Sequence, residues 1–170
     1  NQVPGLVANQ RNNYAQDQQI SSRGFGARAT FGIRGLRLYT DGIPATMPDG
    51  QGQVSHFDIA GAQRIEVLRG PFSALYGPNS GGVISLVSAA PVAASWSLDG
   101  DVGSDGLWQA RLGAEAPLSG GWNIRVQASQ FSTDGVRPHS GAQRTLGNLR
   151  LGWVGANDKV TVLLNSVDQP

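Results

Sequence analysis

Apolar and polar residues alternate strictly along five segments in the second half of this 170-residue chain. In one segment Trp108, Ala110 and Leu112 are apolar, whereas Gln109 and Arg111 between them are polar. The five segments are 95–102, 108–118, 122–129, 148–153 and 160–164. A period of two residues places successive side chains on opposite faces of a β-strand. The pattern therefore predicts antiparallel strands with one apolar and one polar face.

Two architectures fit this alternation. A soluble β-sandwich turns its apolar faces toward a core, whereas a membrane barrel turns them toward lipid, with about 10 residues per strand and polar residues in the lumen. Small residues on the apolar faces favour the barrel, because a sandwich core needs bulk. Trp96, Trp108 and Trp122 also favour it, because they lie near strand ends like an interfacial aromatic girdle. The connections differ in length as in barrels, being short at Gly103–Gly106, Ser119–Gly121 and Gly155–Asp158 and long at Thr133–Arg144.

The number of strands limits both interpretations. Closure of a membrane barrel needs at least about 8 strands. An open sheet of five would expose an apolar surface and two unpaired edges. We therefore expect residues 91–170 either to belong to a longer chain or to have another fold. The alternative is a self-contained β-barrel or β-sandwich that acts as a binding module or adhesin without transport, and it would need strands that residues 1–90 do not offer.

Residues 1–90 lack this regularity. The chain contains 24 glycines, and short apolar runs such as Leu36–Tyr39 and Arg64–Leu68 are separated by Gly and Pro turns. A short helix fits near Phe72–Leu75, and Phe57–Ala62 fits another turn. The change of pattern places a domain boundary near residue 91 and predicts a loop-rich first domain. Because the chain starts abruptly inside this domain, we expect a processed chain or a fragment.

Four motifs follow one another within residues 1–90. They are Val3-Pro4-Gly5, Ile20–Gly26 (ISSRGFG), Leu38–Pro44 (LYTDGIP) and Gln63–Ile84 (containing QRIEVLRGP, SALYG and GGVI). In order and spacing they resemble the plug domain of TonB-dependent outer-membrane receptors. The resemblance implies an α+β plug domain at residues 1–90, truncated at its N-terminus, with a small mixed sheet, short helices and many loops. It also implies that residues 91–170 are antiparallel β-strands, the first four to five, of an incomplete transmembrane β-barrel.

The same resemblance implies a nutrient importer of the bacterial outer membrane. In such receptors the plug lies within the barrel lumen, is accessible from the periplasm, and gates the lumen. The implied partners are a ferric siderophore or similar small ligand, outer-membrane lipid, and TonB, which acts through an N-terminal box absent from this chain. Copper and cobalamin are alternative substrates. The resemblance implies no cofactor.

Outward-facing plug loops are where the resemblance places ligand contacts. In this chain the implied ligand-binding residues are Arg23, Phe25, Arg28, Met47, Asp49 and Gln51. Arginines suit an anionic ferric chelate, and an aromatic ring suits the organic part of such a ligand. The single methionine carries a thioether that can coordinate soft copper, although one thioether in a turn is more often a space-filling residue.

A second set of residues belongs to the structural and gating motif of the plug. It comprises Arg64, Glu66, Arg69, Gly70, Pro71, Tyr76, Gly77, Gly81 and Gly82. The apolar Ile65, Val67 and Leu68 are predicted to supply a strand core. Burial would force Glu66 and Arg69 into ion pairs. The Gly-Pro and Gly-Gly pairs predict tight turns.

Other functions find little support in the sequence. A net charge of +1 argues against nucleic acid as a partner. The absence of cysteine excludes disulfides and thiolate chemistry, and neither His56 nor His139 has neighbours at metal-ligand spacing. Residues 24–29 fit the GxGxxA string, yet no buried strand precedes them and no helix follows. We find no catalytic constellation and predict no metal site and no enzyme, although nucleotide affinity would revive that class.

Overall fold

The computed structural model describes residues 3–9, 18–59, 61–70, 73–77 and 79–169. The chain divides into two compact units, Asn1–Ser88 and Ala89–Pro170. Within the described ranges, no helix has the length and apolar character needed to cross a membrane.

The first unit contains a hairpin and a small mixed sheet. Its elements in chain order are β1 (Leu6–Asn9), β2 (Gln19–Ser22), β3 (Leu36–Thr40), β4 (Ile43–Pro44), β5 (Ala62–Arg69), α1 (Ser73–Tyr76) and β6 (Gly82–Ser88). Strands β1 and β2 pair with each other, and the sheet has the order β4-β3-β6-β5. Its central strands β3 and β6 are parallel, whereas both outer pairs are antiparallel. The predicted small mixed sheet with a short helix is confirmed.

The core of this unit lies against one face of β3 and β6. It consists of Ile33, Leu36, Leu38, Phe57, Ile84 and Leu86, with Val67 of β5 packed at its margin. The alternating residues of β3 and β6 reach this core because alternate side chains of a strand share a face. The prediction that Ile65 belongs to the core is wrong. Its side chain is 51% exposed, because β5 is the edge strand of the sheet.

The end of β6 is held by the turn that follows β3. Asp41, with a φ of 51°, accepts a hydrogen bond from the backbone N–H of Ser88 at 2.8 Å. The second oxygen of the same carboxylate accepts a short hydrogen bond from the Ser88 hydroxyl. In return, the backbone N–H of Asp41 donates to the carbonyl oxygen of Leu86 at 2.9 Å. One carboxylate therefore fixes the last residue of the first unit.

The second unit is an antiparallel meander. Its strands are β7 (Ser95–Val102), β8 (Trp108–Pro117), β9 (Trp122–Thr133), β10 (Ala142–Val154) and β11 (Lys159–Asp168), with a 3₁₀ turn at Ser119–Gly121. Each strand pairs with the next one in sequence. The five predicted strands are confirmed, but the long connection is shorter than predicted and covers only residues 134–141. The ends of β9 and β10 are polar, yet Thr133 still pairs with Ala142 and Ser132 with Gln143.

The apolar face of this meander is more exposed than its polar face. On the apolar face, Leu112 is 54% exposed and Leu164 is 59% exposed. On the polar face, Asn123 and Arg150 are each only 6% exposed, because the Arg150 Nη1 lies across the sheet and donates to the Asn123 Oδ1 at 2.7 Å. A soluble sandwich would cover its apolar face instead. The exposed apolar face is the arrangement expected for contact with lipid.

Two ion pairs cross between strands on the polar face. The Arg125 guanidinium of β9 lies 2.6 Å from the Glu115 carboxylate of β8, and Arg111 of β8 lies 2.8 Å from Asp101 of β7. Both pairs join residues opposite or near one another in the strand register, where opposite charges attract. Two ion pairs thus join neighbouring strands across the polar face.

Tryptophans occupy both ends of the meander. Trp122 and Trp153 lie side by side, with ring centroids 6.3 Å apart, and the Trp153 indole N–H donates to the Gly120 carbonyl at 3.0 Å. Trp96 lies at the same end of the strands, whereas Trp108 lies at the opposite end, paired with Val102 and Ser132. Amphipathic indole rings at both ends of an exposed apolar band match the predicted girdle.

Candidate ligand-binding surface of the first unit

The first predicted ligand loop begins with a tight turn after β2. The backbones of Ser22 and Phe25 exchange two hydrogen bonds, at 3.0 and 2.9 Å. The two residues between them, Arg23 and Gly24, have φ angles of 50° and 84°. Positive φ at both central positions defines a type I′ turn, which glycine adopts freely and arginine does not. The turn leaves the Arg23 side chain exposed and the Phe25 ring 48% exposed.

The loop continues over residues 26–34, and hydrogen bonds hold its backbone. The Gln19 side-chain amide donates to the carbonyl of Ala27 at 2.6 Å, and the Ala29 N–H donates to the carbonyl of Gly26. Arg28 remains exposed on this loop, and the Phe31 ring is 64% exposed. The sequence-based prediction did not include Phe31. Its only signal was a large apolar residue within a loop otherwise made of small and polar residues.

The second predicted loop is a compact turn at residues 47–51. The Met47 N–H donates to the Gln51 carbonyl at 2.8 Å, and the Gly50 N–H donates to the Met47 carbonyl at 2.9 Å. The Asp49 carboxylate caps the turn by accepting from the Gln51 N–H at 2.9 Å. Met47 is 50% exposed at its start. The backbone of this loop is therefore ordered, while its side chains remain accessible.

The two loops are joined to each other. Ile33 and Gly52 exchange backbone hydrogen bonds of 2.8 Å in both directions. Beside them, the Arg34 Nη2 donates to the Gln51 Oε1 at 3.3 Å. The structure thus brings the two predicted ligand loops into one surface, which we call the loop surface (residues 23–34 and 46–52). Ligand contact at Arg23, Phe25, Arg28, Met47, Asp49 and Gln51 stays a prediction.

A buried threonine ties this surface to the sheet. The Thr46 hydroxyl, at a residue only 8% exposed, accepts a hydrogen bond from the Leu38 backbone N–H at 2.8 Å. We expect Thr46→Val to lower the free energy of unfolding by about 1–3 kcal/mol, because it leaves that buried N–H without its acceptor. Chemical denaturation measures this loss. Thr46→Ser keeps the hydroxyl and serves as the control, and equal losses in both variants would contradict the role of the hydrogen bond.

The charged residues of the structural and gating motif, Arg64, Glu66 and Arg69, are exposed in this unit. Glu66 forms an ion pair with Arg64, at 2.6 Å on the same strand, and both side chains are about half exposed. The Arg69 Nη1 instead donates to the backbone carbonyl of Pro4 at 2.8 Å. The face of edge strand β5 that carries Glu66 is open in this unit, and the gating role of Glu66 and Arg69 stays a prediction.

The remaining residues of the motif shape the turn between α1 and β6. The Tyr76 ring meets the Tyr39 ring edge to face, with centroids 5.6 Å apart. Gly77 and Gly82 have φ angles of 78° and 128°, and the Gly81 N–H donates to the Gly35 carbonyl at 2.8 Å. Gly70 donates to the Gly81 carbonyl at 3.4 Å. Pro71 lies outside the described residues.

Metal-ligating side chains are scattered in the part of the chain that the structure describes. No group of three His, Cys, Asp or Glu residues in that part could hold a metal ion. His56 packs edge to face against the Phe57 ring, with centroids 5.1 Å apart. His139 lies in the loop between β9 and β10, with a φ of 62°.

A family model and solved structures match this chain. The model of the TonB-dependent Receptor Plug Domain matches residues 1–84. The pyoverdine outer-membrane receptor FpvA from Pseudomonas aeruginosa, bound to pyoverdine, is similar with a TM-score of 0.73 at 21% identity, over 98% of this chain and 24% of the receptor. The ferric yersiniabactin uptake receptor FyuA from Yersinia pestis is similar with a TM-score of 0.68 at 21% identity, over 98% and 27% of the two chains.

A copper transporter has the same fold. OprC is similar with a TM-score of 0.68 at 20% identity, over 98% of this chain and 26% of the transporter. The chain thus spans about a quarter of the length of these outer-membrane proteins. At this level of identity the likeness establishes the fold, a plug followed by antiparallel barrel strands.

Proposed function

Residues 1–84 of this chain belong to the TonB-dependent receptor plug domain family, and from this premise we propose that the complete protein is an outer-membrane transporter for a scarce nutrient. The plug gates the lumen of the barrel whose strands begin at β7. The observation that carries the proposal is the combination of a plug fold with a following meander whose apolar face is exposed and whose polar face carries ion pairs between strands.

The proposed substrate is a ferric siderophore. The loop surface presents two exposed arginines, Arg23 and Arg28, and two exposed phenylalanines, Phe25 and Phe31. Guanidinium groups form strong charge-assisted hydrogen bonds with the oxyanions of such chelates, and aromatic rings pack against their organic parts. Similarity to receptors for pyoverdine and ferric yersiniabactin supports this class.

The proposed partners follow from the same assignment. Energy for import comes through TonB, and the apolar face of the meander contacts outer-membrane lipid. Copper is the second candidate substrate, since Met47, which carries a thioether, is half exposed on the loop surface and a copper transporter shares the fold. Cobalamin is a third candidate substrate, and the binding experiment below distinguishes it from the other two.

Binding to the purified full-length protein tests the substrate. Titration with a panel of ferric siderophores, cobalamin and cupric or cuprous ions should give saturable binding for an anionic ferric chelate. Arg23→Gln combined with Arg28→Gln should weaken that binding about 10- to 100-fold, the effect of losing charged hydrogen bonds. Arg64→Gln removes a charge within the same unit, on edge strand β5, where the side chain contacts Glu66 and Gln63 and no residue of the loop surface, and it should leave binding unchanged.

Three results would contradict this assignment. Binding of copper that is lost in Met47→Ala, without chelate binding, would favour the copper transporter. Saturable binding of cobalamin alone would replace the chelate by that substrate. Failure to bind any member of the panel would remove the proposed substrate class.

A further inference from the structure

We propose that Arg69 is a positioning residue for the turn Ser22–Phe25, acting through the segment Val3–Gly5. The inference rests on the proposed function of this turn as part of the ligand-binding surface. Arg69 lies at the end of edge strand β5, in the structural and gating motif, whereas the turn lies at the end of the β1–β2 hairpin. The segment between them connects the two.

The first contact joins Arg69 to the segment. Its Nη1 donates to the carbonyl oxygen of Pro4 at 2.8 Å, across 65 residues of sequence. Proline has no backbone N–H, so this carbonyl is the one main-chain group through which Pro4 can be held. A charged donor makes a stronger hydrogen bond to a carbonyl than a neutral donor does. Arg69 therefore holds Pro4 against the end of strand β5.

The second contact joins the segment to the turn. The carbonyl of Gly5, the residue after Pro4, accepts a hydrogen bond from the Arg23 backbone N–H at 2.9 Å. The segment is itself curled, since the Leu6 N–H donates to the Val3 carbonyl at 3.2 Å and Gly5 has a φ of 78°. The carbonyl of Pro4 thus accepts from Arg69, and the next carbonyl, of Gly5, accepts from Arg23. Because the two carbonyls belong to adjacent residues, displacement of one displaces the other.

The turn needs this support because of the conformation of Arg23. Its φ of 50° lies in the left-handed region, which residues with a Cβ adopt reluctantly. Such a conformation persists only where surrounding contacts hold it. The hydrogen bond to Gly5 is one such contact, so loss of Arg69 should loosen Arg23 and, with it, the orientation of the exposed Phe25.

Amide hydrogen exchange of the full-length protein in detergent micelles tests this chain of contacts without any ligand. Arg69→Gln should speed exchange of the Arg23 and Phe25 amides about fivefold, as expected for the loss of a hydrogen bond to a supporting segment. The amides of Leu38 and Leu86 in the sheet should keep their protection. The matched control is Arg64→Gln on the same strand, because Arg64 contacts Glu66 and Gln63 instead.

Defined outcomes overturn the inference. Unchanged exchange at Arg23 in Arg69→Gln would do so, as would an equal increase in Arg64→Gln. If Arg69→Gln loosens the whole sheet, Arg69→Lys replaces it, since the ammonium keeps the charge but not the guanidinium geometry. Arg69→Lys should still raise the exchange rate of the Arg23 amide about twofold while the Leu86 amide stays protected. An unchanged rate at Arg23 in this variant would overturn the proposal. Because no ligand is involved, the result is independent of the substrate test.

Discussion

Replacing Gly82 with alanine is expected to unfold the first unit or lower its free energy of unfolding by at least about 3 kcal/mol. Gly82 is the first residue of central strand β6 and pairs with Leu36 on one side and Arg69 on the other. Its φ of 128° is open to glycine alone, and an added Cβ would overlap the Leu68 carbonyl oxygen. Because that obstacle is backbone in a paired strand, it cannot move without breaking the ladder.

Gly42→Ala is the matched control. Gly42 also has a positive φ, of 82°, but a Cβ there would meet no atom within 4 Å. We expect it to cost about 1–2 kcal/mol from backbone strain alone. Chemical denaturation measures the free energy of unfolding of both variants, and hydrogen exchange of the Leu86 amide measures the stability of the sheet. Similar losses in the two would contradict the steric argument and leave only the φ effect.

Replacing Leu112 with arginine is expected to lower the stability of the membrane-inserted protein by about 2–4 kcal/mol, the cost of a charge on the lipid face near the bilayer midplane. Leu112 lies midway along β8, in a rung with Leu98 and Ala128 on the exposed apolar face. The measurement is the urea midpoint of the full-length protein in lipid vesicles, together with its folded fraction in outer-membrane preparations.

Ser97→Arg places the same side chain at the same height but on the other face. Ser97 pairs with Gly113, next to Leu112, and belongs to the polar face together with Asp99. The new charge should therefore change stability by less than about 1 kcal/mol. If both arginines were tolerated equally, the apolar face would not contact lipid, and a binding module with a covered face would become the better interpretation.

Local periodicity explains why most of the fold could be predicted. Alternation along segments such as Trp108–Leu118 specified strands and faces, because the period of a strand is a property of the backbone. The ends of β9 and β10 were missed because their ladder continues through polar residues such as Gln143 and Ser132. Backbone hydrogen bonds do not need an apolar side chain, so hydropathy carries no signal there.

The candidate site was predictable in its loops but not in its contacts. The motif resemblance located the loop surface, yet the link between Arg34 and Gln51 and the contact of Arg69 with Pro4 join residues distant in sequence. Burial was the condition for ion pairing of Glu66 and Arg69, whereas the edge strand leaves Glu66 exposed beside Arg64. Whether a charged residue is covered depends on what packs over its strand, and local sequence does not record that.

The hydrogen bonds of the Asp41 carboxylate to Ser88, at the end of β6, affect how the first unit responds to force. The chain leaves the first unit immediately after Ser88, so tension on the connection is borne first by the two hydrogen bonds to Asp41. Beyond them, β6 is paired on both sides, with β3 and with β5. A pull along its axis must shear both ladders at once instead of opening one bond at a time. The first unit should therefore resist force applied at this end more strongly than a pull that peels edge strand β5 from the sheet.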